Sequence, residues 1–133
     1  MIVVDASALV AILLDEPEAA GFIEALEGGS GHLISPTSVF ETVAALVRVR
    51  ICSVSDARVL TTDLLTEAGI SVEPVTAEIG EAAITAFDRF GKGRNPAALN
   101  MGDCYSYALA KTKRLPLLFK GDDFSRTDLD RAV

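Results

Sequence analysis

Along the chain, short apolar runs alternate with longer segments in which apolar residues recur every three or four positions. The short runs predict buried strands, and the three-to-four spacing predicts helices with one apolar face. Strands are expected at residues 2–4, 32–34, 71–73 and 115–119, with residues 120–124 as a further strand that ends in acid. This alternation indicates an α/β fold, in which a central parallel sheet of about four to five short strands is flanked by helices on both faces.

The ends of the predicted helices are marked by capping residues, proline and glycine. Ser7 and Asn100 are each placed to cap the helix that follows. Helices are expected at residues 7–14, 17–26, 35–49, 53–68, 76–90 and 101–113. The connection at residues 91–100, GKGRNPAALN, is ten residues long, and connections of that length in a compact domain are often functional.

Size and composition fit one compact domain over residues 1–133. No apolar run approaches the roughly 20 residues that span a bilayer, and the first residues lack the basic start and cleavage site of a signal peptide. We therefore expect a cytoplasmic protein with no membrane partner. Cys52 and Cys104 are too few and too isolated for a disulfide framework or a zinc site, so both are interpreted as reduced packing residues.

The sequence contains a single histidine, His32, which follows a glycine-rich stretch. We expect it to be exposed at the junction of a loop and a strand. Ser-His-Asp triads, Cys-His pairs and histidine-rich metal sites all need a positioned imidazole with partners. If the protein is an enzyme at neutral pH, carboxylates and a metal ion must therefore supply most of its chemistry.

Carboxylates occur at the places where a parallel sheet presents its functional groups. Asp5 follows the first strand, Glu41 lies on the helix after the second strand, and Asp103 begins a helix. Asp122 and Asp123 follow the last strand. All of these places lie at the carboxyl end of the sheet, where ligands bind in such folds. Carboxylates gathered there repel one another unless a hard divalent cation such as Mg²⁺ or Mn²⁺ neutralises them.

Each carboxylate also has a purely structural interpretation. An Asp after a strand is a common turn residue, Glu41 can be an ordinary surface residue, and Asp103 can interact with a helix dipole. This interpretation is weaker for Asp5 and Asp103, because each stands among core residues, where an unpaired charge is energetically costly. Taken together, the acids favour a functional cluster.

The charge of the chain is unevenly distributed. The net charge of −7 opposes binding to nucleic acid, whose phosphates are attracted by Lys and Arg. Residues 1–47, however, carry seven acidic side chains and no Lys or Arg, whereas residues 91–120 carry six cations and one acid. Four of those cations are candidates for binding an RNA backbone: Lys92, Arg94, Lys111 and Lys113. By itself, a solvated helix face explains this basic stretch equally well.

At this point four blocks of sequence carry a family resemblance. They are MIVVDASALVAILLDEPEA, SPTSVFETVAAL, LNMGDCYSYALAK and PLLFKGDDFSRTDL, and they resemble the successive blocks of PIN-domain VapC toxins. The resemblance covers nearly the whole chain and is most specific in the third and fourth blocks. It implies the PIN fold and a Mg²⁺-dependent ribonuclease, the toxin of a type II toxin-antitoxin pair. It also implies a frequent homodimer that is inhibited by a cognate VapB-type antitoxin.

Carried over residue by residue, the first three acids of the family fall on Asp5, Glu41 and Asp103. The fourth falls on Asp122 or Asp123, because the GDDF loop is one residue shorter than the family pattern. Asp122 is preferred from its distance to the strand. Ser7 and Asn100 lie in matching blocks, and supporting roles are assigned to them, capping helices and hydrogen-bonding the carboxylates or their waters.

The resulting hypothesis is that Asp5 and Asp103 hold a Mg²⁺ that activates water for attack on an RNA phosphodiester, with Glu41 and Asp122 completing the site. The resemblance implies products with 5′-phosphate and 3′-hydroxyl ends. One alternative is another phosphoryl-transfer enzyme, such as a phosphatase or a response-regulator-like receiver, but no matching Thr follows a later strand. A second alternative is a non-catalytic module whose acids dock a basic segment of a partner.

Overall fold

The computed structural model describes residues 1–50 and 52–133, and for residue 50 the backbone alone. Within these residues there are four strands, six α-helices and one short 3-10 helix. In chain order they are β1 (Val3–Val4), α1 (Ala6–Leu13), α2 (Ala19–Glu27), β2 (His32–Ile34), α3 (Pro36–Arg50), α4 (Val54–Ala68), β3 (Ile70–Val72), α5 (Ala77–Phe90), α6 (Met101–Lys113), β4 (Leu117–Leu118) and the 3-10 helix (Phe124–Arg126). The predicted α/β class is confirmed.

The four strands form one parallel sheet in the order β3-β2-β1-β4. The chain moves outward from β1 to β2 and β3, and then returns across the sheet to place β4 on the other side of β1. Ligands of open parallel sheets bind where the strand order reverses in this way, beyond the carboxyl ends of the strands. The reversal lies between β1 and β4, so Asp5 and the acids after β4 are close to it.

The alternation of side chains along the short strands divides the core between the two faces of the sheet. Val3 and Leu117, which are paired in register, pack with buried residues of α5 and α6. Val4 and Leu118, the next pair, pack on the other face with α1, α2 and Leu65 of α4. Helices therefore cover both faces, as predicted.

Side-chain caps fix the starts of several helices. Ser53 caps α4, Thr76 caps α5 and Asn100 caps α6, each by accepting a hydrogen bond from a backbone N–H in the first turn. The expected cap at Ser7 is wrong. Asp5 is the N-cap of α1, and its carboxylate accepts the backbone N–H of Ser7. The carboxylate that follows β1 is therefore also the start of the first helix.

Two further expectations from the sequence are corrected by the structure. Residues 120–124 are not a strand, because a turn follows β4 and leads into the 3-10 helix. His32 is not exposed: 1% of its surface is accessible, its Nδ1 accepts the N–H of Ile2, and its Nε2 donates to the carbonyl of Leu26. These two bonds require the neutral ring protonated at Nε2. His32 joins β2 to α2 and to the start of the chain.

None of the helices in the described residues is both long and apolar enough to cross a bilayer.

Candidate active site

Asp5 is held rigidly at the carboxyl end of β1. Only 4% of its surface is exposed, and its backbone N–H donates to the carbonyl of Leu118 in β4. One carboxylate oxygen, Oδ2, accepts the hydroxyl of Ser7 at 2.7 Å, and the other, Oδ1, accepts the hydroxyl of Ser106 at 2.6 Å. Ser106 in turn shares a hydrogen bond of 3.0 Å with Ser38. A buried carboxylate needs such donors, because an unpaired charge in the core is costly.

Asp103 lies in the first turn of α6 and forms a reciprocal cap with Asn100. The Asn100 side chain accepts the N–H of Asp103 at 2.9 Å, and the Asp103 carboxylate accepts the N–H of Asn100 at 3.1 Å. Burial raises the pKa of Asp103 to about 6; the hydrogen bond from Asn100 opposes this shift, and the nearby charges of Asp5 and Asp123 add to it. Asp103 therefore belongs to the same electrostatic cluster as Asp5.

Glu41 approaches this pair from α3. Its pKa is raised to about 7, chiefly by burial and further by the charges of Asp5 and Asp103. The approach depends on Gly102, because a Cβ at that position would overlap the Glu41 carboxylate. The lack of a side chain at Gly102 thus allows Glu41 to lie against the first turn of α6, next to Asp103.

The two aspartates that were considered for the fourth acid differ in their effect on Asp103. Asp123 is close enough to Asp103 to raise the pKa of that carboxyl, whereas Asp122 is not among the groups that do so. The backbone carbonyl of Asp122 accepts the N–H of Ser125 and thereby shapes the turn after β4. The sequence favoured Asp122; the electrostatic contact with Asp103 instead favours Asp123.

Known proteins resemble this chain in both sequence and fold. The sequence model of the PIN domain matches residues 2–129. Ribonuclease VapC30 of Mycobacterium tuberculosis is 44% identical over 128 residues, which cover 96% of this chain and 95% of that protein. A VapC ribonuclease of Rhizobium meliloti is 40% identical over 138 residues, which cover 95% of this chain and 97% of that protein. The crystal structure of the VapC20 toxin of Mycobacterium tuberculosis superimposes with a TM-score of 0.76 at 21% identity, covering 97% of this chain and 96% of that chain.

The chain belongs to the PIN-domain VapC ribonucleases. Membership confirms the resemblance noted in the sequence, and the VapC20 structure confirms the PIN fold. In this PIN domain, the acids described above lie where the strand order reverses.

The side chains of this PIN domain suit a hard divalent cation in their chemistry. Asp5, Glu41, Asp103 and Asp123 offer carboxylate oxygens, the ligands that Mg²⁺ and Mn²⁺ prefer, and burial together with the neighbouring negative charges raises the pKa of Glu41 and of Asp103. In residues 1–50 and 52–133, however, no group of three or more His, Cys, Asp or Glu side chains is arranged to hold a metal ion.

The predicted backbone-binding cations do not all lie near the acids. Lys111 and Lys113 are at the far end of α6, eight and ten residues after Asp103, or about 12 and 15 Å along the helix. Lys111 pairs with Asp128 at 3.2 Å, and Lys113 pairs with Glu73 at 2.9 Å. The structure does not bring these two lysines to the site.

Lys92 and Arg94 lie in the loop before α6. The N–H of Lys92 donates to the carbonyl of Leu99, which ties the loop to the residue before Asn100. Arg94 is 3.5 Å from Asp88 in a solvent-exposed pair and lies over the ring of Phe87. These two cations are therefore attached to the end of α6 that carries Asp103.

Sequence reasoning missed three residues that shape the site. Ser106 donates a hydrogen bond to Asp5, and Ser38 is hydrogen-bonded to Ser106. Gly102 leaves the space that the Glu41 carboxylate occupies. Small residues within apolar helices are typical of close packing, so their types gave no signal of a polar role. The spacing from Asp103 to Ser106 is three residues, which places both on one helix face. That spacing was the one available signal.

Proposed function

We propose that this chain is a Mg²⁺-dependent endoribonuclease, the toxin of a VapBC-type pair, and that Mn²⁺ can replace Mg²⁺. The observation that carries the proposal is the electrostatic coupling of Glu41 and Asp103 to Asp5 at the carboxyl edge of the sheet. Such coupling is typical of sites that bind cations or transfer protons. Family membership supports RNA as the substrate, since the curated relatives are named ribonucleases.

In this proposal Asp5 and Asp103 hold the ion, with Glu41 and Asp123 completing the site. When bound, the ion supplies a Lewis acid that neutralises phosphate charge and lowers the pKa of water. Ser7 and Ser106 fix the orientation of Asp5, and Asn100 fixes Asp103.

Glu41 is proposed to move the proton. Among the described residues its carboxylate has no hydrogen-bond partner, so an oxygen is available to accept a proton from the attacking water. Attack at phosphorus breaks the bond to the 3′ oxygen, which takes up a proton from solvent water, so the products carry a 5′-phosphate and a 3′-hydroxyl.

The RNA backbone is proposed to contact Lys92 and Arg94. Both are on the loop that enters α6 beside Asn100, and their charges offset the repulsion between phosphates and an acidic chain. Lys111 and Lys113, which the sequence also favoured, are left out because they lie in the last turn of α6, at the end opposite Asp103.

The test is cleavage of a structured RNA by antitoxin-free protein with Mg²⁺, compared with the same reaction in EDTA. We expect cleavage by the wild type to depend on the metal and to fall at least about 100-fold in Asp103→Asn. Asp123→Asn and Asp122→Asn form a matched pair, since they make the same change at adjacent positions. A larger loss in Asp123→Asn supports the fourth acid proposed here, and undiminished cleavage by Asp103→Asn excludes the site.

The proposal extends to partners and location. A VapB-type antitoxin is the proposed inhibitor; a solved structure that shares this fold, with a TM-score of 0.71 at 18% identity, is a toxin-antitoxin complex from Klebsiella pneumoniae. We further propose that residues 1–133 act as one domain, that two copies form a homodimer, and that the protein works in the cytoplasm. Light scattering of the purified protein, with and without the antitoxin, measures both assemblies.

A further inference from the structure

A cleft of about 480 Å³ opens beside the acids, between α1 and α3. Its volume is in the range of pockets that bind small organic groups. Ser7 and Glu41 line the end of the cleft that adjoins the site. The rest is lined by the short aliphatic side chains of Ala6, Val10, Ala44 and Ala45, together with Phe40, Glu16, Arg48 and Lys120. Because these aliphatic side chains are small, the cleft has room for a ring between the two helices.

An aromatic ring stands at this cleft in contact with water. Phe40 precedes Glu41 on α3, lines the cleft and is 74% exposed. A single exposed apolar side chain is common on protein surfaces. Here the ring borders a cleft that Glu41 also lines, and an aromatic face in that position can stack on a nucleobase of any type.

Arg48 supplies a positive charge farther along the same cleft. It lies eight residues after Phe40 on α3, and in the part of the chain that the structure describes it forms no ion pair. Lys120 also lines the cleft, but it is neutralised by Glu16 at 2.9 Å and Glu18 at 3.1 Å. The guanidinium of Arg48 is therefore the cleft cation that can pair with a phosphate.

We propose that this cleft is a subsite for an unpaired nucleobase of the RNA, next to the phosphate at the acids. The base stacks on Phe40, and a neighbouring phosphate pairs with Arg48. The inference rests on the proposed function, since it assumes an RNA substrate. An apolar peptide segment could also cover Phe40, but it would leave the charge of Arg48 without a counterion, so a nucleotide fits the cleft better.

Binding can be measured without metal or cleavage. Fluorescence anisotropy in EDTA measures the Kd of the protein for labelled single-stranded oligoribonucleotides of about ten nucleotides. A separate oligoribonucleotide is used for each of the RNA bases. We expect Phe40→Leu to raise the Kd about ten-fold, because Leu is apolar but cannot stack, and Phe40→Tyr to restore it. Ile84→Ala is the control, since Ile84 is an equally apolar residue on α5, 62% exposed and outside the cleft. Thermal melting verifies that each variant is folded.

An abasic nucleotide tests whether the ring contacts a base. The abasic nucleotide is placed in turn at each position of the oligoribonucleotide. We expect it to weaken binding to the wild type at one or two positions. It should not weaken binding to Phe40→Leu any further, because both changes remove the same contact. The subsite is overturned if the wild type shows no detectable binding, or if the wild type and Phe40→Leu have equal Kd values. It is also overturned if the losses of affinity caused by the abasic nucleotide and by Phe40→Leu are additive. A Phe40→Leu variant that binds RNA normally but loses affinity for the antitoxin also overturns the subsite, and assigns the cleft to a protein partner.

The proposed function can fail separately. If the binding pattern is as expected but no RNA is cleaved with Mg²⁺ or Mn²⁺, the subsite stands and the catalytic proposal falls. If cleavage is normal and Phe40→Leu binds as the wild type does, the catalytic proposal stands and the subsite falls.

Discussion

Gly102 controls the position of the Glu41 carboxylate through the space it leaves open. A Cβ at position 102 would overlap the end of the flexible Glu41 side chain and not the backbone. The Glu41 side chain can rotate away at low cost, so a substitution there displaces a functional group without breaking the fold.

We expect Gly102→Ala to lower the rate of RNA cleavage about 10- to 100-fold, because a displaced proton acceptor no longer reaches the reacting water. Its melting temperature should change little. Gly80→Ala on α5 is the matched control, since a Cβ there meets open space and Ala favours a helix. Wild-type cleavage by Gly102→Ala would show that the position of Glu41 is not important.

The charge of Glu41 makes the stability of the metal-free protein depend on pH. The pKa of Glu41 is about 7 in the folded protein, against an ordinary value of 4.5. Between these values the folded state binds more protons than the unfolded state, so the free energy of unfolding falls as pH rises. Asp103, with a pKa of about 6, acts in the same direction.

In EDTA we therefore expect the protein to gain about 1 to 2 kcal/mol of stability when the pH is lowered from 7.5 to 5, after allowance for the partial exposure of both side chains. Glu41→Gln should remove much of this dependence and raise the stability at pH 7.5. Urea unfolding at the two pH values measures both effects. A stability that is independent of pH in the wild type would contradict the electrostatic coupling of these acids.

At the scale of elements, α6 connects the site to the opposite edge of the sheet. Its first turn carries Asp103, and its last turn carries Lys111 and Lys113. The loop before it carries Lys92 and Arg94. The two pairs of cations are thus separated by the length of one helix.

Two double variants with the same change of charge test this separation. We expect Lys92→Gln combined with Arg94→Gln to weaken RNA binding roughly 3- to 10-fold at low salt and to flatten its salt dependence. Lys111→Gln combined with Lys113→Gln should have a much smaller effect. Filter binding over a range of salt concentrations gives both values. Equal losses in the two variants would mean that RNA extends along α6.

Elements whose pattern is local could be predicted from the sequence. The helix at Met101–Lys113 and its Asn100 cap were predicted correctly, because a cap, an apolar stripe and a strand signal occur in order. His32 could not be placed, since its burial depends on two backbone groups that lie far from it in sequence or across a turn. The strand predicted after β4 was wrong, because Gly121, Asp122 and Asp123 are turn-forming residues that are depleted in strands.

Site residues could be predicted from the sequence where they directly follow a strand. Asp5 follows a buried strand, and sheet geometry brings it to the reversal of strand order. The choice between Asp122 and Asp123 depends on the backbone of one turn, which the sequence does not encode in a recognisable pattern. Ser106 supports Asp5 across about a hundred residues of chain, a pairing that only the packed fold reveals.

At the scale of the whole molecule, an acidic protein of net charge −7 must bind a polyanion. The fold separates the carboxylates, which oppose binding of a polyanion, from the cations, which favour it. The acids that follow β1 and β4 are concentrated at one edge, where a bound divalent cation would reverse their effect on phosphate. The cationic loop leads directly into α6, which supplies Asp103, and Arg48 lies on α3, which supplies Glu41. RNA binding and metal binding are therefore expected to reinforce each other.

Calorimetric titration of the antitoxin-free protein with Mn²⁺ tests the central claim, that these carboxylates hold the ion needed for cleavage. We expect the wild type to bind the ion and Asp103→Asn to lose most of that binding while keeping its fold. Equal binding by the two proteins, or RNA cleavage by a wild type that binds no ion, would contradict it.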